Sequence, residues 1–161
     1  MSIRNITKIA LYASIYLVLT LLFSQISYGP IQFRISEFLT VFPFIDPTSI
    51  IGIFLGCFIA NFFSPAGWID VVFGSLCTLI AGYLTYKMPK IYLAPIPPIL
   101  VNAFGVSLYL HYFFKLPYIL NVIYIAIGEA VVTYLIGLPI LIYIDKNPNI
   151  KEKILGVGAK R

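Results

Sequence analysis

The sequence predicts an all-α integral membrane protein, a six-transmembrane-helix bundle with its N- and C-termini cytoplasmic. Three observations lead there. Of 161 residues, 60% are hydrophobic and 11% charged, against roughly 25% charged in a soluble domain. The apolar residues fall into six runs divided by Gly, Pro and charged residues. The Lys and Arg residues collect at one set of run ends, as cytoplasmic loops require.

One transmembrane domain, 1–161, accounts for the whole length. A hydrocarbon core of about 30 Å takes roughly 20 helical residues, and the first span, 6–26, fits it. Gly29-Pro30 marks a turn. The second run, 33–45, is short, on the order of 20 Å as a helix, which suits either a thinned crossing or a re-entrant segment. Asp46-Pro47 reads as an N-cap followed by Pro at the first helical position and opens the third span, 47–63. Ser64-Pro65-Ala66-Gly67 turns the chain into the fourth span, 68–86, which Lys87-Met88-Pro89-Lys90 closes. The fifth, 92–114, starts irregularly through Ala94-Pro95-Ile96-Pro97-Pro98, and the sixth, 118–144, is expected to kink at Pro139. A polar, basic tail, 145–161, follows.

The charge count decides the second run. With six crossings and the N-terminus inside, Arg4, Lys8, Lys87, Lys90, Lys146, Lys151, Lys153, Lys160 and Arg161 are cytoplasmic, and only Arg34 and Lys115 lie outside. A re-entrant second run would split the basic loops between the two faces, so six crossings is the preferred topology. The net charge of +5 is therefore topological. No basic face with interleaved aromatics points to nucleic acid. Cys57 and Cys77 lie inside apolar runs and read as packing residues, without the spacing of a metal site or a disulfide framework. Arg4 and Lys8 before an apolar run give only a weak signal-peptide reading of the N-terminus, since more apolar segments follow and no A-x-A-like cleavage site is present.

Small residues recur at four-residue spacing: Gly52, Gly56 and Ala60 on the third span, and Gly74, Thr78 and Gly82 on the fourth. Such ridges let helices approach closely and are expected to pack the bundle internally. Ala10 and Ser14 form a shorter version on the first span, suited either to internal packing or to docking of a membrane partner.

Polar groups inside the runs are few. The stretch IQFRISEFLTVFPF, residues 31–44, carries Arg34 and Glu37, and a charge exposed to lipid costs about 2.5–3.5 kcal/mol even on insertion scales. Such residues face a protein interior or a substrate path, so this stretch is expected to form one wall of a site. With Asn61, Asp70, His111 and Asn121 it falls in the outer half. Asn102 and Glu129 lie about 16 Å below the outer boundary, at about 1.5 Å per helical residue. That outlines an outward-facing pocket with a polar floor and with aromatic walls at Tyr109 and Tyr118. Asp70 equally suits a helix dipole, Arg34 and Glu37 equally suit a local ion pair, Asn61 and Asn121 equally tie helix ends, and His111 reads as a surface residue. Glu129 has no basic residue within a turn, and a ligand is the stronger explanation of its burial. An acidic and amide floor suits a flat, nitrogen-rich, cationic solute, because a carboxylate can accept two parallel N–H bonds. The sequence holds no G-x-x-x-x-G-K-[ST] phosphate loop, no H-E-x-x-H and no G-x-S-x-G, so no catalytic residue and no metal site is assigned.

The run IQFRISEFLTVFPFIDPTSIIGIFLGCFIANFFSPAGWIDVVFGSL resembles the QueT family of substrate-binding S components of energy-coupling factor (ECF) transporters, associated with uptake of queuosine precursors. FRISE and residues 61–70 carry it most specifically. The resemblance implies a six-helix fold, a solute pocket near the outer face, location in the plasma membrane, and partnership with a transmembrane coupling (T) protein and two ATPase subunits. Those partners would use ATP, and this chain needs no cofactor of its own. In such S components an Ala-x-x-x-Ala motif on the first span docks the coupling protein; here Ala10 and Ser14 hold those positions. The expected role is capture of a precursor such as 7-aminomethyl-7-deazaguanine by Arg34, Glu37, Asn61, Asp70, Asn102, Tyr109 and Glu129. Alternatives are an S component for another small vitamin, a self-sufficient carrier in which Glu129 cycles a proton, and a membrane enzyme, for which no base or nucleophile stands out.

Overall fold

The computed structural model describes residues 2–28 and 33–155, and it is helical throughout, with no strand among the described residues. Helix α1 (Ile3–Leu22) is followed by a short α2 (Ser24–Ser27) and then by a 3-10 segment, Ile35–Phe44. Helices α3 (Thr48–Asn61), α4 (Ser75–Tyr86, entered through a π turn at Asp70–Gly74) and α5 (Ile96–Phe114, entered through a 3-10 turn at Ile91–Leu93) come next. The last long apolar helix divides into α6 (Tyr118–Ala130), a π stretch (Val131–Gly137) and α7 (Leu138–Lys146), before a terminal α8 (Pro148–Leu155). Ile3–Leu22, Ile91–Phe114 and Tyr118–Lys146 are long and apolar enough to cross a membrane; Ile35–Phe44, Thr48–Asn61 and Asp70–Tyr86 are apolar but shorter.

Local chemistry explains most boundaries. Ser2 caps α1 by accepting from the Asn5 N–H. The Asp46 carboxylate accepts from the Thr48 N–H at 3.1 Å and the Thr48 hydroxyl at 2.7 Å, which is the capping anticipated from Asp46-Pro47. Its other oxygen pairs with Lys8 at 3.0 Å. Gly67, at φ 62°, supplies the left-handed residue that turns the chain into the fourth apolar helix.

The anticipated boundaries shift in three places. The first span stops at Leu22, with Phe23 separating it from α2. The irregularity expected at Pro139 lies just upstream, where Val131–Gly137 takes π hydrogen bonding; a Pro that cannot donate is accommodated by the altered register before it. The polar tail, given no secondary structure from the sequence, is helical over Pro148–Leu155, and Ile150 and Ile154 pack against the core. Arg4 donates to the carbonyls of Glu152 and Lys153 at 3.3 and 2.9 Å, satisfying acceptors that a helix C-terminus leaves free. The first and last helices therefore meet at one end of the bundle. The turn at Gly29-Pro30, Ile31 and Gln32 at the head of the polar stretch, and the basic Lys160 and Arg161 lie outside the described residues.

Ten residues of 3-10 helix reach about 20 Å at about 2.0 Å each, and such runs rarely exceed four residues unaided. This one is buried in the middle of the bundle through Ser36, Glu37, Leu39, Thr40, Val41, Phe42 and Pro43. Around it, α1 packs on α3, α4 lies between α3 and α5, α5 pairs with α6, and the π stretch packs along the 3-10 segment. Gly137 makes that last contact: a Cβ there would stand 2.7 Å from the Phe38 carbonyl oxygen.

Between helices in lipid there is no hydrophobic driving force, so close packing carries association. The glycines of α3 supply it. A Cβ at Gly52 would stand 2.8 Å from the Ile9 carbonyl oxygen, and one at Gly56 2.7 Å from the Ala13 carbonyl oxygen. Both obstacles are backbone and cannot rotate away. Gly82 is different, its nearest neighbours being 3.6 Å off. Gly56→Ala should therefore destabilise the protein by about 1–3 kcal/mol through overpacking, read as a lower thermal midpoint in detergent. Gly82→Ala should leave the midpoint unchanged or slightly raised.

Candidate functional site

Arg34 is the last extended residue before the 3-10 segment, at φ −97° and ψ 104°. Its guanidinium is buried. It donates to Asp70 Oδ2 at 2.9 Å and lies 5.4 Å from the centre of the Tyr28 ring. The local Arg34–Glu37 pair anticipated as an alternative is thus replaced by a pair 36 residues apart. Asp70 is 1% exposed, so it does more than meet a helix dipole. The Tyr109 hydroxyl donates to its Oδ1, and Asn61 Nδ2 donates to its backbone carbonyl at 2.9 Å. The π turn places this carboxylate, and Gly74 makes room for it. A Cβ on Gly74 would meet Asp70 Oδ1 at 2.6 Å, Asn61 Nδ2 at 3.0 Å and the Tyr109 hydroxyl at 3.2 Å. The sequence pattern assigned Gly74 only to a packing ridge.

Beyond this ion pair lies a polar cavity of about 10 Å³, lined by Arg34, Glu37, Gly74, Thr78, Asn102, Val106, Ile125 and Glu129. That is room for one water molecule. Asn102 Nδ2 donates to Glu129 Oε1 at 2.7 Å, so the two groups assigned to one depth do meet. With Nδ2 given to Glu129, Asn102 Oδ1 is turned away from that bond. The Tyr16 hydroxyl donates to Glu37 Oε1. Three buried atoms of these residues have no hydrogen-bond partner: Glu37 Oε2, Asn102 Oδ1 and Glu129 Oε2. Each carboxylate offers one unpartnered oxygen, not the parallel pair anticipated for either.

The structure sorts the other expected residues. Arg34, Glu37, Asn102 and Glu129 line the cavity, while Asn61, Asp70 and Tyr109 form the network that holds Arg34. Tyr118 is not on the cavity wall; its ring lies 6.1 Å from that of His111. His111 is exposed and bonds the Leu116 carbonyl through Nδ1 at 2.7 Å. Asn121 is buried without a partner for Nδ2 and does not line the cavity. Ala10 and Ser14 are exposed on α1, on a face other than the one that Ile9 and Ala13 present to α3. The Ser14 hydroxyl is satisfied by the Ala10 carbonyl at 2.8 Å. Tyr16, Gly74, Thr78, Val106 and Ile125 were missed. Tyr16 had a signal: Tyr12, Tyr16 and Thr20 recur every fourth residue, a polar stripe on an apolar helix.

A family model described as QueT transporter matches residues 6–146. The chain belongs to the QueT transporter family. All the cavity residues fall inside that match, as do Ala10 and Ser14, whereas α8 lies beyond it. The curated "Queuosine precursor transporter QueT" of Lactococcus lactis subsp. cremoris is 46% identical over 78 residues, covering 47% of this chain and 46% of that protein. The chain thus spans about half the length of the QueT relative that it matches. No solved structure matches the chain.

Removing one member of a buried ion pair leaves an uncompensated charge, at a cost of about 3–5 kcal/mol. Arg34→Met should lower the thermal midpoint sharply. The double variant Arg34→Met/Asp70→Asn should recover much of that loss, since Asn keeps an acceptor for Tyr109. Additive losses in the double variant would show that the pair contributes nothing.

Proposed function

We propose that the chain is the substrate-binding membrane subunit, the S component, of an ECF-type transporter, capturing a queuosine precursor such as 7-aminomethyl-7-deazaguanine. One observation carries the reading: the unpartnered buried atoms of Glu37, Asn102 and Glu129 are all oxygens, which are acceptors when the carboxyl groups are ionised. A fitting ligand presents several N–H donors. Of three buried carboxyl groups, Glu37, Asp70 and Glu129, only Asp70 is paired with the Arg34 guanidinium, so a cationic ligand would find an acidic partner in the cavity. A guanine-like edge supplies N–H donors to one carboxylate and the Asn102 oxygen, and an aminomethyl ammonium suits the other carboxylate. The cavity holds only a water-sized volume, so entry of a bicyclic ring requires its walls to part, with the Arg34–Asp70 pair as the outer wall. The name of the Lactococcus relative points to the same solute class.

The same reading gives six crossings, cytoplasmic termini and a location in the plasma membrane. It is supported by the contact of Arg4 with α8, which puts the first and last helices at one end, together with the count of basic residues. Uptake against a gradient then needs the coupling protein and the two ATPase subunits, because the sequence has no phosphate loop. The exposed Ala10 and Ser14 suit the docking face. The competing reading, a self-sufficient carrier in which Glu129 cycles a proton, draws on the two carboxylates facing one cavity.

Glu129→Gln removes the charge at nearly constant volume. Hydrogen bonds to charged groups contribute about 1.5–3 kcal/mol, so affinity for 7-aminomethyl-7-deazaguanine should fall roughly 10- to 150-fold by titration calorimetry. The melting temperature of the ligand-free protein should hold or rise. Unchanged affinity would remove Glu129 from the site. Uptake by the lone chain in vesicles, driven by an imposed proton gradient, would favour the carrier.

For topology, Gly29→Cys and Met88→Cys, each in a background free of Cys57 and Cys77, should label from opposite sides of the membrane with an impermeant maleimide. Labelling from one side would overturn six crossings.

A further inference from the structure

Tyr16 lies outside the cavity lining, yet it is fully buried, at 0% exposure, and its hydroxyl donates to Glu37. Its backbone cannot drift. A Cβ on Gly56 would stand 2.8 Å from Tyr16 Cβ and 2.7 Å from the Ala13 carbonyl oxygen, so α1 rests directly on α3 at this level. One turn further along, the Thr20 hydroxyl accompanies it: Thr20 Oγ1 donates to the Tyr16 carbonyl at 2.8 Å and shares a 2.7 Å hydrogen bond with Ser36 Oγ, the residue before Glu37. Two ties from α1 therefore grip the 3-10 segment at adjacent residues.

The arrangement around Glu37 repeats the one around Glu129. Asn102 occupies Glu129 Oε1 and leaves Oε2 unpartnered; Tyr16 occupies Glu37 Oε1 and leaves Oε2 unpartnered. In each case a buried donor takes one oxygen and fixes the carboxylate plane, so that a single acceptor remains for a ligand. We infer that Tyr16 is a specificity-determining positioning residue, which holds the Glu37 carboxylate so that one oxygen meets an N–H donor of the ligand in the cavity. The inference deepens the proposed function and rests on Glu37 contacting the solute.

A freed Glu37 can rotate about its terminal torsion and spread over several orientations, only some of which meet the ligand. Tyr16→Phe removes the donor and keeps the ring that packs against α3. It should weaken binding of 7-aminomethyl-7-deazaguanine roughly 10-fold. In a Glu37→Gln background the same change should have little further effect, because the carboxylate that Tyr16 positions is gone. A tyrosine that only packs would leave affinity unchanged, or lower it equally in both backgrounds.

The test is calorimetric titration of the wild type, Tyr16→Phe, Glu37→Gln and the double variant, with infrared difference spectra of the ligand-free proteins beside it. Non-additive losses in affinity, with a Tyr16→Phe change in the carboxyl bands that disappears in the Glu37→Gln background, are expected. Equal or absent losses would overturn the inference while leaving the proposed function intact. If the wild type does not bind this solute, the proposed substrate fails. The infrared comparison then decides Tyr16 alone, and no band change dependent on Glu37 overturns its role.

Discussion

Burying a ten-residue 3-10 segment that carries a carboxylate is the constraint on which the other elements depend. The 3-10 geometry gains reach, but its hydrogen bonds are poorly aligned and short-lived without support. Support arrives from three directions: the hydroxyls of Tyr16 and Thr20 from α1, the backbone of the π stretch pressed against Phe38 across Gly137, and the internal bond from Thr40 Oγ1 to the Glu37 carbonyl at 2.6 Å. Each depends on a small residue or a short polar side chain at one position. The glycines of α3 belong to the same scheme, since they bring α1 close enough for Tyr16 to reach Glu37.

The charges divide into two layers with different roles. The outer layer, Arg34 with Asp70, is closed on itself: the guanidinium has its carboxylate, and that carboxylate has the Tyr109 hydroxyl as well. The inner layer, Glu37, Asn102 and Glu129, is satisfied on one side of each group and open on the other. A buried network left half satisfied costs stability for as long as it stays so. The open atoms of this layer are all oxygens, and the closed Arg34–Asp70 pair lies beside them.

At the opposite end of the bundle the polar contacts hold the frame together. Lys8 meets Asp46 where the 3-10 segment gives way to α3, Lys151 meets Asp145 at 2.7 Å, and Arg4 closes the end of α8. These contacts join the two ends of the chain to the central segment, so α1 is tied both to the cavity through Tyr16 and to the terminal helix through Arg4. Its exposed Ala10 and Ser14 lie between those two ties.

Much of the fold was legible in the sequence, because length, apolar runs and turn residues act locally. The six helical segments, the Asp46 cap, the Ser64–Gly67 turn and the irregular entry to α5 follow from nearest-neighbour chemistry. The pairing of Asn102 with Glu129 could be read from depth alone, since helical rise converts residue number into height. What height does not give is azimuth. Whether Arg34 pairs with Glu37 or with Asp70, whether Tyr118 faces the cavity or His111, and whether Gly74 packs a helix or clears space for a carboxylate all turn on the rotation of one helix against another. The amphipathic signal that usually reports rotation is weak in a chain that is apolar on nearly every face. The π turns at Asp70–Gly74 and Val131–Gly137 shift that rotation further, and no local pattern announces them. The sequence by itself determined which residues are too costly to leave in lipid; only the tertiary structure decided which of them meet, because those contacts span from 9 to 39 positions along the chain.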